Sequence, residues 1–244
     1  DDGMFKDFKI DEVYALHNWP ELPLGTFGVN SGPMMAAVDE FDITIKGKGG
    51  HAASPHLTID PVVISAQFIT AVQTIISRST DPVDKALISI TKINAGTAYN
   101  VIDDQVKMGG TIRTFRKETR SYIEKRLREL CSGIAEAHGA EIKIVFDLVN
   151  KYPPTINSKK ESIFAANVAK DLVGEDKVIT DIDPSMGGED FSYLLEEKPG
   201  SYLYIGQGDD EHKAHLHTTK YDFNDNLLPV GVNFWVELVK KYFS

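Results

Sequence analysis

Apolar residues follow two different rhythms along this chain, and the change of rhythm divides it. In the middle, Phe41, Ile43 and Ile45 alternate with polar neighbours, which predicts a half-buried strand. A polar, glycine-rich loop from Gly47 to His56 follows, and Asp60-Pro61 opens a helix, with the proline where its missing N–H costs nothing. Val62, Phe68 or Ile69, Val72 and Ile76 recur on one face of that helix. Leu87 to Ile93 reads as a second strand, and Val106, Met108, Gly110 and Ile112 alternate as a third. Tyr122 or Ile123, Leu127, Leu130 or Cys131, and Ile134 predict an amphipathic helix ended by His138-Gly139. Ile142, Ile144, Phe146 and Leu148 alternate as a fourth strand. Strand, helix, strand, strand, helix, strand is the order of an α+β ferredoxin-like domain, expected over residues 38–150. Tyr152-Pro153-Pro154 is expected to close it as a stiff linker.

The flanks read differently. Val13 to Leu16 and Tyr202 to Ile205 are short continuous apolar runs suited to buried strands. Ile163, Phe164, Val168 and Leu172 predict a helix, and Pro229 to Tyr242 predicts a final one. Short buried strands alternating with helices predict an α/β domain, built from residues 1–37 and 151–244, with the ferredoxin-like domain inserted into it. Asp1-Asp2-Gly3-Met4-Phe5 reads as the tail of a helix ended by Gly3, so the α/β domain is expected to be incomplete at its N-terminus.

Bulk composition narrows the partners. With 42% hydrophobic and 25% charged residues, the 244-residue chain can bury a real core. A formal net charge of -10 argues against nucleic acid or an anionic membrane and favours small soluble substrates. No apolar run in the sequence approaches the roughly 18 residues of a membrane span. The lone Cys131 excludes an internal disulfide and suggests a cytoplasmic setting.

Histidines carry most of the candidate chemistry. Three crowd into Asp209 to His217, and in an extended stretch His215 and His217 would point to one side, as metal ligands or as inert members of a polar surface loop. His17 follows the Val13 to Leu16 run, where α/β sheets gather ligands at the carboxyl ends of strands; the bland alternative is a loop histidine. Gly47 to His56 displays His51 and His56 on a loop that suits close ligand approach or a flexible hairpin, and that lacks the ending of a phosphate loop. Glu189 and Asp190 follow two glycines at a helix start, where acids favour the helix dipole. Cys131 lies on an apolar helix face and reads as core.

Taken together, Ala15-Leu16-His17-Asn18, Gly47-Lys48-Gly49-Gly50-His51-Ala52-Ala53 with Pro55-His56, Ala98-Tyr99-Asn100-Val101-Ile102, Gly110-Thr111-Ile112-Arg113, Gly188-Glu189-Asp190-Phe191, and Leu216-His217 with Tyr221-Asp222-Phe223-Asn224-Asp225 resemble one family. It is the metal-dependent aminoacylase and carboxypeptidase family, in the branch of N-acyl-amino-acid amidohydrolases that includes hippurate hydrolase and the plant auxin-conjugate hydrolases. The motifs run in the family's order over nearly the whole chain; Asp103 stands where the family usually has proline. The resemblance implies a catalytic α/β domain with a lid or dimerisation domain, and two divalent metal ions, zinc or manganese. It implies His17 and His217 as metal ligands, His51 as the catalytic oxyanion donor, and Asn100, Arg113 and Glu189 as substrate-binding residues. It also implies a small N-acylated amino acid as substrate and a homodimer formed through the inserted domain.

The family's remaining ligands and its general base belong to an upstream segment that this sequence lacks, so the chain alone is expected to be inactive. Two other readings stand beside this one. One is a catalytically dead binding or dimerisation module; the other is a dipeptidase or carboxypeptidase of the same family.

Overall fold

The computed structural model describes residues 3–146 and 151–244. In chain order the elements are α1 (Met4–Asp7), β1 (Val13–Pro23), β2 (Phe27–Gly28), β3 (Gly32–Met35), β4 (Ala37–Lys46), β5 (Gly50–His51), α2 (Pro61–Thr74), β6 (Ala86–Asn94), β7 (Val101–Ile102), β8 (Gln105–Thr114), α3 (Lys117–His138), β9 (Glu141–Phe146), β10 (Thr155–Asn157), α4 (Lys159–Val173), β11 (Val178–Ile179), α5 (Phe191–Glu197), β12 (Gly200–Gly208) and α6 (Leu228–Tyr242). They pack as two compact units of a mixed α/β architecture. The first comprises Asp1–Met35, Thr155–Ser185 and Glu189–Ser244, and the second Ala36–Pro154 with Met186–Gly188.

In the second unit the alternating strands form one antiparallel sheet in the order β6-β8-β4-β9. Phe41, Ile43 and Ile45 of β4 and Val106, Met108 and Ile112 of β8 point to one face, because side chains two apart share a side. That face is covered by Ile64, Phe68 and Val72 of α2 and by Ile123, Leu127 and Cys131 of α3. Each fully buried apolar side chain of this size stabilises by about 1.5–3 kcal/mol. Gly110 is required where it stands, since a Cβ there would lie 2.3 Å from the Ser89 carbonyl oxygen and 2.6 Å from the Phe41 ring.

Helix ends follow local chemistry. The Asp60 carboxylate caps α2 by accepting the Val62 N–H at 2.8 Å, and α3 stops at Gly139, whose φ of 64° suits glycine. A π-helical turn, Ile75–Ser79, extends α2. The combined helix Pro61–Ser79 is long and apolar enough to cross a membrane by length and composition, contrary to the expectation of no such run. Its Ile64, Phe68, Val72 and Ile75 pack into the unit's core. A buried ion pair ties α3 to β4: Arg120 Nε and Nη2 donate to the two Asp39 carboxylate oxygens at 2.6 and 2.7 Å.

The Leu148 end of the fourth predicted strand lies outside the described residues. Tyr152 exchanges backbone hydrogen bonds with Val38 at 3.0 and 3.1 Å, and Pro153 and Pro154 are buried. The expected linker is therefore packed structure. Proline brings no N–H to satisfy, so its burial leaves no donor unpaired.

The first unit has a four-stranded sheet in the order β1-β12-β2-β11 and a separate β10–β3 pair. β12 is buried on both faces. Leu203 and Ile205 meet Phe27, Ala165, Val168, Phe234 and Leu238 on the side of α4 and α6, while Tyr202 and Tyr204 meet Met34 and Phe191 on the other. A continuous apolar run is what a strand covered on two sides requires. β1 runs parallel to β12 from Val13 opposite Gly200 to Trp19 opposite Gly206, with an irregularity before Pro23. It lies at the sheet edge and is half-buried from Val13 to Trp19. The helix tail expected before Gly3 lies outside the described residues; with φ 87° Gly3 precedes α1, and its carbonyl accepts the Lys6 and Asp7 N–H groups at 2.9 and 2.7 Å. A left-handed glycine fits either helix end, so its identity alone does not tell which.

Candidate functional site

His17 sits inside β1, six residues before the strand ends at Pro23, and not at its carboxyl end as expected. The polar and aromatic residues after it continue the extended backbone without an apolar signal. Its Nδ1 lies 2.8 Å from the Asn18 carbonyl oxygen. A carbonyl oxygen only accepts, so Nδ1 carries the hydrogen, and in the neutral ring Nε2 presents a lone pair. A metal-binding imidazole is held in this way, with its other nitrogen donating to backbone.

Tyr202, on neighbouring β12, places its ring 6.1 Å from that of His17 and donates its hydroxyl to Glu189 Oε2 at 2.7 Å. Glu189 Oε1 accepts the Phe191 N–H at 3.3 Å, so Glu189 caps the first turn of α5, whereas Asp190 makes no side-chain cap bond. Burial pushes the Glu189 pKa up, but hydrogen bonds from Tyr202, Asp190 and the Phe191 N–H, with the nearby His17, overcome it and hold the carboxyl below its usual value. Asp190 is pushed the other way by its hydrogen bond to Glu189, by burial and by the neighbouring charge. The two carboxyls are therefore shifted in opposite directions, Glu189 toward the ionised form and Asp190 toward the protonated one.

The stretch carrying the other histidines is not extended. His217 lies exposed in a turn with φ 60°, so it and His215 do not share a strand face. His215 Nδ1 is 2.6 Å from Glu21 Oε1. His212 Nδ1 is 2.8 Å from Asp209 Oδ1, a bond that raises the imidazole's pKa. Among the described residues, no group of three or more His, Cys, Asp or Glu side chains comes together to hold a metal ion. His17 fits a metal by its tautomer, as one contributor to a ligand set.

In the second unit, β5 pairs with β7, placing His51 opposite Val101. The Ala53 N–H donates to His51 Nδ1 at 3.0 Å. The neutral ring must then carry its hydrogen on Nε2, which makes His51 an outward donor and the tautomeric opposite of His17. The Ala52 N–H donates to the Asn100 carbonyl at 3.0 Å, so His51 and Asn100 share this ribbon.

The glycines of the loop serve backbone packing. A Cβ on Gly47 would stand 2.0 Å from the Ile59 carbonyl oxygen and one on Gly49 2.6 Å from that of Ile102, while the Gly49 N–H donates to Asp104 Oδ1 at 2.8 Å. They form neither a phosphate cradle nor a loose hairpin. Arg113, on β8, is half-buried; burial lowers its pKa against the opposing charges of Glu40 and Asp39. It lines a cavity of about 350 Å³ with Glu40, Asp42, Lys92 and Thr111.

Sequence reasoning missed Tyr202 as a partner of Glu189, and Gln207 altogether. Tyr202 reads as one more apolar strand residue; a polar Gln207 closing an otherwise buried run was the available signal.

Comparison with known proteins shows what the chain is similar to. The profile of peptidase family M20/M25/M40 matches residues 1–241. The N-acetylcysteine deacetylase of Bacillus subtilis (strain 168) is 37% identical over 229 residues, 94% of this chain and 58% of that protein. The hippurate hydrolase of Campylobacter jejuni is 36% identical over 242 residues, 99% of this chain and 62% of that protein. A Bacillus subtilis crystal structure, described as a dinuclear metal binding peptidase from the M20 family, superposes with a TM-score of 0.76 at 32% identity, over 94% of this chain and 56% of that one. The chain thus spans about three fifths of the length of these curated relatives.

Proposed function

The chain belongs to peptidase family M20/M25/M40, and from that premise we propose that it serves metal-dependent hydrolysis of the amide bond in small N-acyl amino acids. The observation that carries the reading is the tautomer of each imidazole taken by itself: in the neutral ring His17 has its lone pair on Nε2 and His51 has its hydrogen there. The relatives named for N-acetylcysteine and hippurate support the substrate class.

In this reading His17 and His217 would each help to hold one of two divalent ions, zinc or manganese. Such a pair, when bound, lowers the pKa of a water toward about 7 and polarises the amide carbonyl. His51 donates from Nε2 to the oxygen that gains charge as the carbonyl is attacked. Asn100 and Arg113 bind the substrate carboxylate, the guanidinium by its planar fork. Glu189, kept ionised by Tyr202, orients the substrate's polar groups. The further metal ligands and the general base that this reading needs would come from outside these 244 residues, which span about three fifths of the relatives' length. Pairing of two copies through the Ala36–Pro154 unit belongs to the same proposal.

The test is release of amino acid from hippurate and N-acetyl amino acids by the full-length protein, with zinc or manganese and then with a chelator. Hydrolysis that stops on chelation and falls in His17→Ala is the expected result. Turnover indifferent to chelator would overturn the metal reading.

A further inference from the structure

We propose that Gln207 is a positioning residue that clamps the loop bearing His217 onto the strand bearing His17. The role assigned to His217 rests on the metal reading above; the clamp itself rests on hydrogen bonds. Gln207 closes the buried part of β12 and is fully buried. A buried amide must have its donors and acceptors met. Its Oε1 accepts from Asn18 Nδ2 at 2.8 Å and from the Tyr221 hydroxyl at 3.2 Å, and its Nε2 donates to the Asp222 carbonyl at 3.1 Å. Asn18 Nδ2 also donates to the Tyr221 hydroxyl at 2.7 Å, closing a three-residue ring. With both Asn18 and Tyr221 donating to Oε1, the amide has one orientation that satisfies it.

The clamp continues to both feet of the loop. Asn224, nearly fully buried, donates from Nδ2 to the Gln207 carbonyl at 3.1 Å and to Asp209 Oδ2 at 2.8 Å. Asp209 Oδ1 in turn accepts the Glu211 and His212 N–H groups at 2.9 and 2.8 Å. Residues 209 and 224 are thereby tied to each other and to Gln207, and the turn holding His217 lies between them. At the other end Asn18 does two jobs: its carbonyl sets the His17 tautomer and its side chain enters the ring. A hydrogen-bonded set that satisfies every member holds its parts in one arrangement more firmly than separate pairs do.

Gln207→Met keeps length and apolar volume and removes all three side-chain bonds; Gln207→Glu restores the acceptor for Asn18 and Tyr221. Amide hydrogen exchange on the 244-residue chain reads the clamp, and the ring signals of His17 and His217 under zinc titration of the full-length protein read its consequence. In Gln207→Met, exchange over residues 209–224 should rise about tenfold or more. Exchange over β4 and β8 should stay at the parent level, and Gln207→Glu should recover most of the protection. Loop exchange unchanged in Gln207→Met overturns the clamp, as does a rise spread evenly over the whole first unit. If zinc moves neither ring in the full-length protein, the metal reading falls, and the exchange result still decides the clamp.

Discussion

Replacing Tyr202 by phenylalanine removes a single hydroxyl while keeping a ring packed 5.9 Å from Phe191 and 5.8 Å from Tyr204. The lost bond is the 2.7 Å donation to Glu189, a charge-assisted one. Such bonds contribute about 1.5–3 kcal/mol. Glu189 is only half-buried, so solvent screening lowers the expected cost to about 1–2 kcal/mol at neutral pH. The pH dependence has a definite sign. Glu189 titrates below its usual 4.5 in the folded chain. A depressed carboxyl contributes stability that is present above the unfolded pKa and lost as pH falls through the folded one. The variant loses that contribution, so the gap between parent and Tyr202→Phe should be full at pH 7 and close as pH falls below about 4. Both tryptophans, Trp19 and Trp235, lie in the first unit, and their fluorescence follows its unfolding in urea. A midpoint lowered by about 0.5 M at pH 7 with an unchanged slope is expected. No shift at pH 7, or an equal shift at pH 7 and pH 3.5, would refute the assignment of Glu189 as an ion held by Tyr202.

Three further perturbations separate stability from chemistry. Asp39→Ala leaves the Arg120 guanidinium largely buried without its two-pronged partner and should cost about 3–5 kcal/mol, seen as a lower melting temperature of the second unit. A loss under 1 kcal/mol would mean that the pair is not desolvated. Gly139→Ala has room for the methyl, whose nearest neighbour would be Ile59 at 3.9 Å, so the expected loss of about 1 kcal/mol comes from the left-handed backbone alone. Urea titration checks it. His51→Ala in the full-length protein should reduce kcat about 10²–10³-fold with melting temperature unchanged, since the ring is exposed. Retained turnover would remove the oxyanion role.

Much of the second unit was legible because its elements are long and periodic. Strands of nine or ten residues such as β6, β4 and β8 show the alternation, and the 22-residue α3 shows its apolar stripe and its glycine stop. In the first unit β2, β3, β10 and β11 have two to four residues each, too few to display a period, and pairing alone makes them strands. β1 was seen only over its apolar start, since an edge strand needs no continuous apolar run. Candidate site residues could be named from residue type and motif. Their finer chemistry could not be read there: the tautomers of His17 and His51 depend on single backbone partners, and the turn at His217 depends on a left-handed backbone at a residue that rarely adopts one.

The active site proposed above is a shared one, in which this polypeptide would supply two imidazole ligands and the substrate-binding groups, and other polypeptide the rest. Assaying the isolated 244-residue chain on hippurate and N-acetyl amino acids, with zinc or manganese added, tests it most directly. No turnover above the metal-only control is expected. Sustained, protein-dependent hydrolysis by this chain alone would contradict it.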